Sequence, residues 1–187
     1  YCDIISMSYL FLSCTEKILL VLKNKRVPKM NNYSLEKLKV IESYIENYMN
    51  NLEDEILENR SDIVMTIDWR EDDREIIQYC ENILKTGILS SKLEESNNMQ
   101  GFTISISYAD KSLIIPYQGT GADRNTTLLS LNEIIQPDYE IRFCNHSDGQ
   151  DTLQFIPLPK EIWDQLDIKY PIIIEIFEKF NKDSIFF

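Results

Sequence analysis

A chain of 187 residues, 43% hydrophobic and 27% charged, is long enough to bury a core and has the composition of an ordinary globular protein. Its 31 acidic against 19 basic side chains give a net charge of −12, a surface that repels phosphate backbones and argues against direct nucleic-acid binding. Cys2, Cys14, Cys80 and Cys144 form no CxxC pair, so they suit neither a zinc site nor a small disulfide scaffold, and a reducing, cytoplasmic setting is the expectation.

The first apolar stretch, YCDIISMSYLFLSCTEKILLVL, is interrupted by Asp3, Glu16 and Lys17, short of the ~20 apolar residues of a spanning helix. Its other basic residues (Lys23, Lys25, Arg26 and Lys29) follow the apolar run and none precedes it, unlike a signal peptide. Met30 opens MNNYSLEKLKV, which reads as a second beginning. We therefore expect residues 1–29 to be an N-terminal extension and 30–187 a single domain. Within 31–187, 14 basic and 29 acidic residues leave −15, so the acidity belongs to the domain.

Ser34 is a good N-cap. Behind it Leu35, Leu38, Ile41, Ile45, Met49, Leu52 and Ile56 recur at threes and fours, which predicts an amphipathic helix of about six turns. DIVMTIDW (62–69) reads as a short strand or loop. REDDREIIQYCENILKTG (70–87) reads as a second helix, with Glu71, Asp72 and Asp73 at the positive end of its dipole and Gly87 as C-cap. Cys80 falls on the apolar stripe of that helix and Cys144 in an apolar strand, so both read as core thiols. SSKLEESNNMQG (90–101) is polar, lacks periodicity and reads as a loop.

FTISISYA and SLIIPYQG are rich in β-branched and aromatic residues and flank a turn, which predicts a hairpin. A helix over about 126–135 follows. YEIRFC and TLQFIPL form a second hairpin around NHSDGQD. PKEIWDQLD and PIIIEIFEKF each begin with proline and read as closing helices. The expected fold is α+β: an antiparallel sheet of about four strands, two hairpins joined by a helix, covered by N-terminal and C-terminal helices.

Two glycines in YQGTGADRNTT (117–127) raise the question of a phosphate loop. Arg124 stands where a dinucleotide fingerprint needs its third glycine, and no P-loop lysine is present. What remains is a possible anion or small-ligand site from Gly119, Gly121, Arg124 and Thr126 at a helix N-terminus, capped by Asn125 or Thr126. The plainer reading is a strand-to-helix turn with Arg124 paired to a local acid.

His146, the only histidine, lies in CNHSDGQD beside Cys144, Asp148 and Asp151. Four ligands so close in sequence suit zinc poorly, and the segment is too short for an EF-hand loop. Ser147 beside His146 lacks a nucleophile elbow. No metal, cofactor or enzymatic activity is expected.

The feature that stands out is acid interleaved with aromatics. Trp69, Asp72, Asp73 and Glu75 form one cluster, and Glu53, Asp54 and Glu55 a second. Both are candidate contacts for a basic protein partner. Moreover IDWREDDREI, GTGADRN and PDYEIRFC…SDGQDTLQFIPLPKEIWDQLD, spanning roughly residues 63–168, resemble small acidic bacterial proteins encoded beside polymorphic toxins and regarded as immunity proteins. The shared pattern is not a catalytic signature, and no site residue is carried over from it. The resemblance implies a role: binding one cognate toxin, commonly a nuclease with a basic cleft, inside the producing cell.

Overall fold

A computed structural model describes residues 32–52 and 55–187. The expected extension 1–29 and the candidate contacts Glu53 and Asp54 lie outside the described residues. Residues 37–187 form one compact unit.

Helix α1 (Asn32–Met49) buries Ile41, Tyr44 and Ile45 and stops well before Ile56. Asn51 takes a positive φ of 52°, a conformation that asparagine tolerates and that ends a helix. Met49 and Leu52, expected on its apolar stripe, are consequently exposed. Strand β1 (Met65–Asp68) leads to α2 (Asp73–Leu84), whose C-cap is Lys85 in the left-handed region, with φ 54°, and not Gly87. Then come β2 (Ser90–Glu95), β3 (Phe102–Tyr108), β4 (Lys111–Ile114), α3 (Arg124–Ile134), β5 (Tyr139–Cys144) and β6 (Thr152–Pro159). The chain closes with α4 (Lys160–Lys169), the single turn α5 (Ile173–Ile176) and β7 (Phe177–Lys179). Among the described residues no helix is long and apolar enough to cross a membrane.

The fold is α+β, with a four-stranded antiparallel sheet in the order β1-β6-β5-β7. The two hairpins do not share it. β3 and β4 join β2 in a second, three-stranded sheet. The first half of the segment read as a loop (90–101) is strand β2, with Leu93 opposite Ile104 and Glu95 opposite Phe102, while 96–101 is the turn that leads to β3. As an edge strand exposed along almost its whole length, it needs no apolar alternation, and none is visible in its sequence. PIIIEIFEKF, read as a helix, is one helical turn followed by β7, because fully buried Phe177 pairs opposite Cys144 at the β5 edge. Packing overrides local propensity there. The main core joins Ile67, Ile76, Ile77 and Cys80 to Ile104, Ile106, Leu131 and Phe155, with contributions from both sheets and from α2 and α3. Cys80 and Cys144 are free, buried thiols whose desolvation pushes their pKa values up.

One charged cluster is built into this interior. Arg142 on β5 is 0% exposed. Its Nε donates to Glu140 at 2.6 Å, and its two Nη atoms donate to Asp167 at 2.6 and 2.9 Å. The guanidinium lies 4.2 Å from the centre of the Trp163 ring, and Trp163 Nε1 donates to the Glu140 carbonyl at 2.8 Å. Lys179 adds a 2.7 Å bond to Asp167. Burial alone would raise the Asp167 pKa, but the hydrogen bonds and charges of Arg142 and Lys179 outweigh it and lower the value from 3.8 to about 2. A carboxyl with a depressed folded pKa stabilises above its unfolded pKa. Acid titration of the fold is therefore expected to show about 2 kcal/mol from this group, present above pH ~4 and lost as pH falls towards 2. An Asp167→Asn variant whose stability falls just as steeply across that window would contradict this assignment.

Candidate functional site

The site begins where β1 runs out. The Asp68 carboxylate accepts from the Arg70 backbone N–H at 2.8 Å and from its guanidinium at 3.3 Å, a local aspartate turn. The turn leaves Trp69 60% exposed, with the Arg70 guanidinium 5.2 Å from the ring centre. An indole is among the largest apolar groups a chain can bury. Leaving one in solvent beside charged neighbours is what an interaction site presents.

Asp72 repeats the device one turn later. It is the N-cap of α2, accepting from the Arg74 N–H at 2.8 Å and from its guanidinium at 3.2 and 3.0 Å. Hydrogen bonds from Arg70 and Arg74 hold Asp68 and Asp72 below the ordinary aspartate range. Glu75 and Tyr79 stand one turn apart on α2, with Glu71 just ahead of its cap, and the Tyr79 hydroxyl donates to Glu75 at 3.1 Å. Partial burial, then the proximity of Glu75, raises the Glu71 pKa. Desolvation and the bond to Glu75 push Tyr79 up to about 12. This side of α2 carries negative charge with no basic partner in those contacts.

Asp73 behaves differently from its neighbour and corrects the expectation that it is a surface contact. It is 3% exposed. Its Oδ2 accepts from the Tyr117 and Thr127 hydroxyls, both at 2.7 Å. The carboxylate thus points inward and fastens α2 to the glycine loop. Arg124 closes the same junction. Its Nη2 donates to the Glu71 carbonyl at 2.8 Å, and its Nε lies 3.9 Å from Asp73 Oδ1. Two segments about fifty positions apart, each singled out as a separate candidate, meet at one place.

The loop itself is a turn. Gly119 has φ +88°, which favours glycine, and its carbonyl accepts from Gln100 Nε2 at 2.5 Å. The cap of α3 is Asp123, not Asn125 or Thr126. It accepts from the Asn125 and Thr126 N–H groups at 3.1 and 3.3 Å, and from the Thr126 hydroxyl. The amides that would hold an anion therefore face the chain's own carboxylate, and Arg124 is turned to Glu71 and Asp73. A Cβ added at Gly121 would meet nothing within 4 Å among the described residues.

Between these parts runs a groove of about 390 Å³, within the size range of ligand sites. Leu93, Phe102 and Ile104 supply apolar lining, while Arg70, Asp72 and Arg74 supply charged lining. Asp73 and Arg124 also line it. A larger groove, about 630 Å³, runs over Thr66, Tyr79 and Asn82. None of the four buried side-chain atoms left without a hydrogen bond among the described residues belongs to its lining.

Of the other expected contacts, Asp72, Glu75 and Glu55 are exposed, and the first two lie at the start of α2, just after the turn that carries Trp69. His146 meets Tyr44, whose hydroxyl lies 3.0 Å from Nδ1, and burial lowers its pKa. Leu93, Phe102, Tyr117 and Thr127 were not expected at the site, since what places them there is tertiary contact. In comparisons with known proteins, no family model, curated protein or solved structure matched this chain.

Proposed function

We propose that the chain is a non-enzymatic binding protein of the immunity kind, which docks a basic protein toxin and neutralises it by masking its charged surface. The observation that carries this reading is Trp69, mostly exposed on a turn that flanks the acidic head of α2. An exposed tryptophan backed by an arginine has the composition of a binding hot spot. Carboxylates around it steer a cationic partner and fix its register. Partial burial first, and the neighbouring acids Glu75 and Asp68 after it, raise the Glu71 pKa, and a lysine or arginine from the partner offsets the second of these. The net charge of −12 acts at longer range in the same sense, speeding encounter with a basic surface. In this reading the protein acts in the cytoplasm of the producing cell, needs no cofactor and turns nothing over.

Trp69, Asp72 and Glu75 form the contact, and Glu55 belongs to a second acidic patch. An interface of ordinary size, about 1,600 Å² in total, suffices. The test is the affinity for the product of the neighbouring gene. Trp69→Ala should weaken the complex by at least ~30-fold, the cost of losing a hot-spot anchor of about 2 kcal/mol or more. The double variant Asp72→Arg, Glu75→Arg should slow association and flatten its salt dependence. Unchanged affinity in both variants would place the contact elsewhere.

A further inference from the structure

Strand β2 is an edge of the three-stranded sheet among the described residues, and two backbone bonds fix which of its groups face outward. The Ser96 N–H donates to the Gly101 carbonyl at 3.0 Å, which continues the β2–β3 register by one position beyond Glu95 and Phe102. Ile104 directs its carbonyl the other way, accepting from the Ile115 N–H at 2.9 Å just past the end of β4. Bonding to one neighbour alternates along an antiparallel strand. Lys92 and Glu94 therefore bond β3, while Ser91, Leu93 and Glu95 aim their N–H and C=O groups along the open edge. Water satisfies such groups, so the open edge selects no partner by itself.

The side chains do select one. A second copy's β2 can add antiparallel only in registers that set outward-facing residues opposite each other. Centred on Lys92, such a pairing puts the two copies' Lys92 face to face. Centred on Glu94, it does the same with glutamates, and like charges directly opposite are destabilising. Centred on Leu93, it puts Leu93 opposite Leu93 and Ser91 opposite Glu95, and each copy's Lys92 then faces the other's Glu94. Within one strand Lys92 Nζ already lies 2.8 Å from Glu94 Oε1, so the four groups alternate in sign around a square. Leu93, on the same side of the sheet as buried Ile104, is 45% exposed, and its counterpart covers it. Charges on an edge strand ordinarily discourage pairing. This order of charges admits its own antiparallel copy.

From this we infer that the chain self-associates as a two-fold dimer through β2, with Leu93 on the axis and the two three-stranded sheets joined into one. The contact is self-complementary and closes on itself. Two chains of −12 repel at long range, but at about 0.15 M salt that repulsion is screened beyond ~8 Å, whereas facing side chains stand about 5 Å apart. None of the residues proposed to contact a toxin takes part.

Sedimentation equilibrium of the intact chain, in reducing buffer at about 0.15 M salt, tests the inference. The unmodified chain should show a monomer–dimer equilibrium. Lys92→Glu and Glu94→Lys, both at exposed positions, should each weaken self-association at least about tenfold, because both facing pairs turn from attraction to repulsion. Mixed together, the two variants should pair with each other as tightly as the unmodified chain pairs with itself, since opposite charges again face at both positions. The double variant Lys92→Glu, Glu94→Lys should recover the dimer on its own. A chain that stays monomeric up to near-millimolar concentration, single variants that dimerise as well as the unmodified chain, or a mixture that fails to pair would each overturn the inference. No toxin enters this measurement, so its failure leaves the docking proposal untouched. Loss of toxin binding would likewise leave the dimer standing.

Discussion

Replacing Arg142 with methionine is expected to destabilise the fold by about 3–5 kcal/mol, the cost of breaking a buried ion pair from one side. For a domain of this size that corresponds to a fall of roughly 10 °C or more in Tm. Three of the guanidinium nitrogens end on carboxylate oxygens, and the group sits on the Trp163 ring. Its removal leaves Glu140, 8% exposed, with Lys160 at 3.4 Å as a remaining cation. Asp167 keeps Lys179. The cost therefore falls mainly on desolvated carboxylates. A second variant separates charge from shape. Combining Arg142→Met with Glu140→Gln and Asp167→Asn should recover much of the loss, because no buried charge then lacks its counterpart. Denaturant unfolding measures both. A single Arg142→Met cost below about 1 kcal/mol would show that the network is ornamental.

The second large effect concerns Asp73. Asp73→Ala should cost about 2–4 kcal/mol, since it leaves the Tyr117 and Thr127 hydroxyls only their 2.8 Å bond to each other and deprives Arg124 of its nearest carboxylate. Asp73→Asn keeps one oxygen that can accept from both hydroxyls but loses the charge beside Arg124, and should cost about half as much. Asp72→Ala, at the exposed cap next door, should cost about 1 kcal/mol, the worth of an N-cap. The ranking is the test. Equal costs at Asp72 and Asp73 would mean that the inward carboxylate does not hold α2 to the loop.

That ranking also marks what the sequence reveals and what it hides. Asp72 and Asp73 are chemically identical neighbours, and both were expected at a surface. Helical spacing carries the distinction. Asp73 precedes Ile76, Ile77 and Cys80 by three, four and seven positions, so it stands on the buried stripe of α2, whereas Asp72 caps the helix from outside. Read that way, the pattern would have placed Asp73 inward. Nothing local would have named Tyr117 and Thr127 as its partners, because those contacts cross 44 and 54 positions.

The same division holds for the fold. Helix α2 and both hairpins were legible because apolar spacing and turn residues agree there. The distribution of the hairpins over two sheets was not, because it depends on which edge each one meets. β2 and β7 were misread for opposite reasons: one is too exposed to need an apolar pattern, and the other, three residues long, is fixed by the burial of Phe177. Trp69 was legible as a candidate because it stands among the charged residues Asp68, Arg70, Glu71, Asp72 and Asp73, and the Asp68–Arg70 turn that leaves it exposed is local in sequence.

The most direct measurement is co-expression of the tagged chain with the product of the neighbouring gene, followed by titration of the purified pair at increasing salt. The account predicts a stable complex whose affinity falls steeply with ionic strength and is lost with Trp69→Ala, Asp72→Arg and Glu75→Arg combined. A neighbouring product that is neither basic nor toxic, or one that fails to bind at low salt, would contradict it.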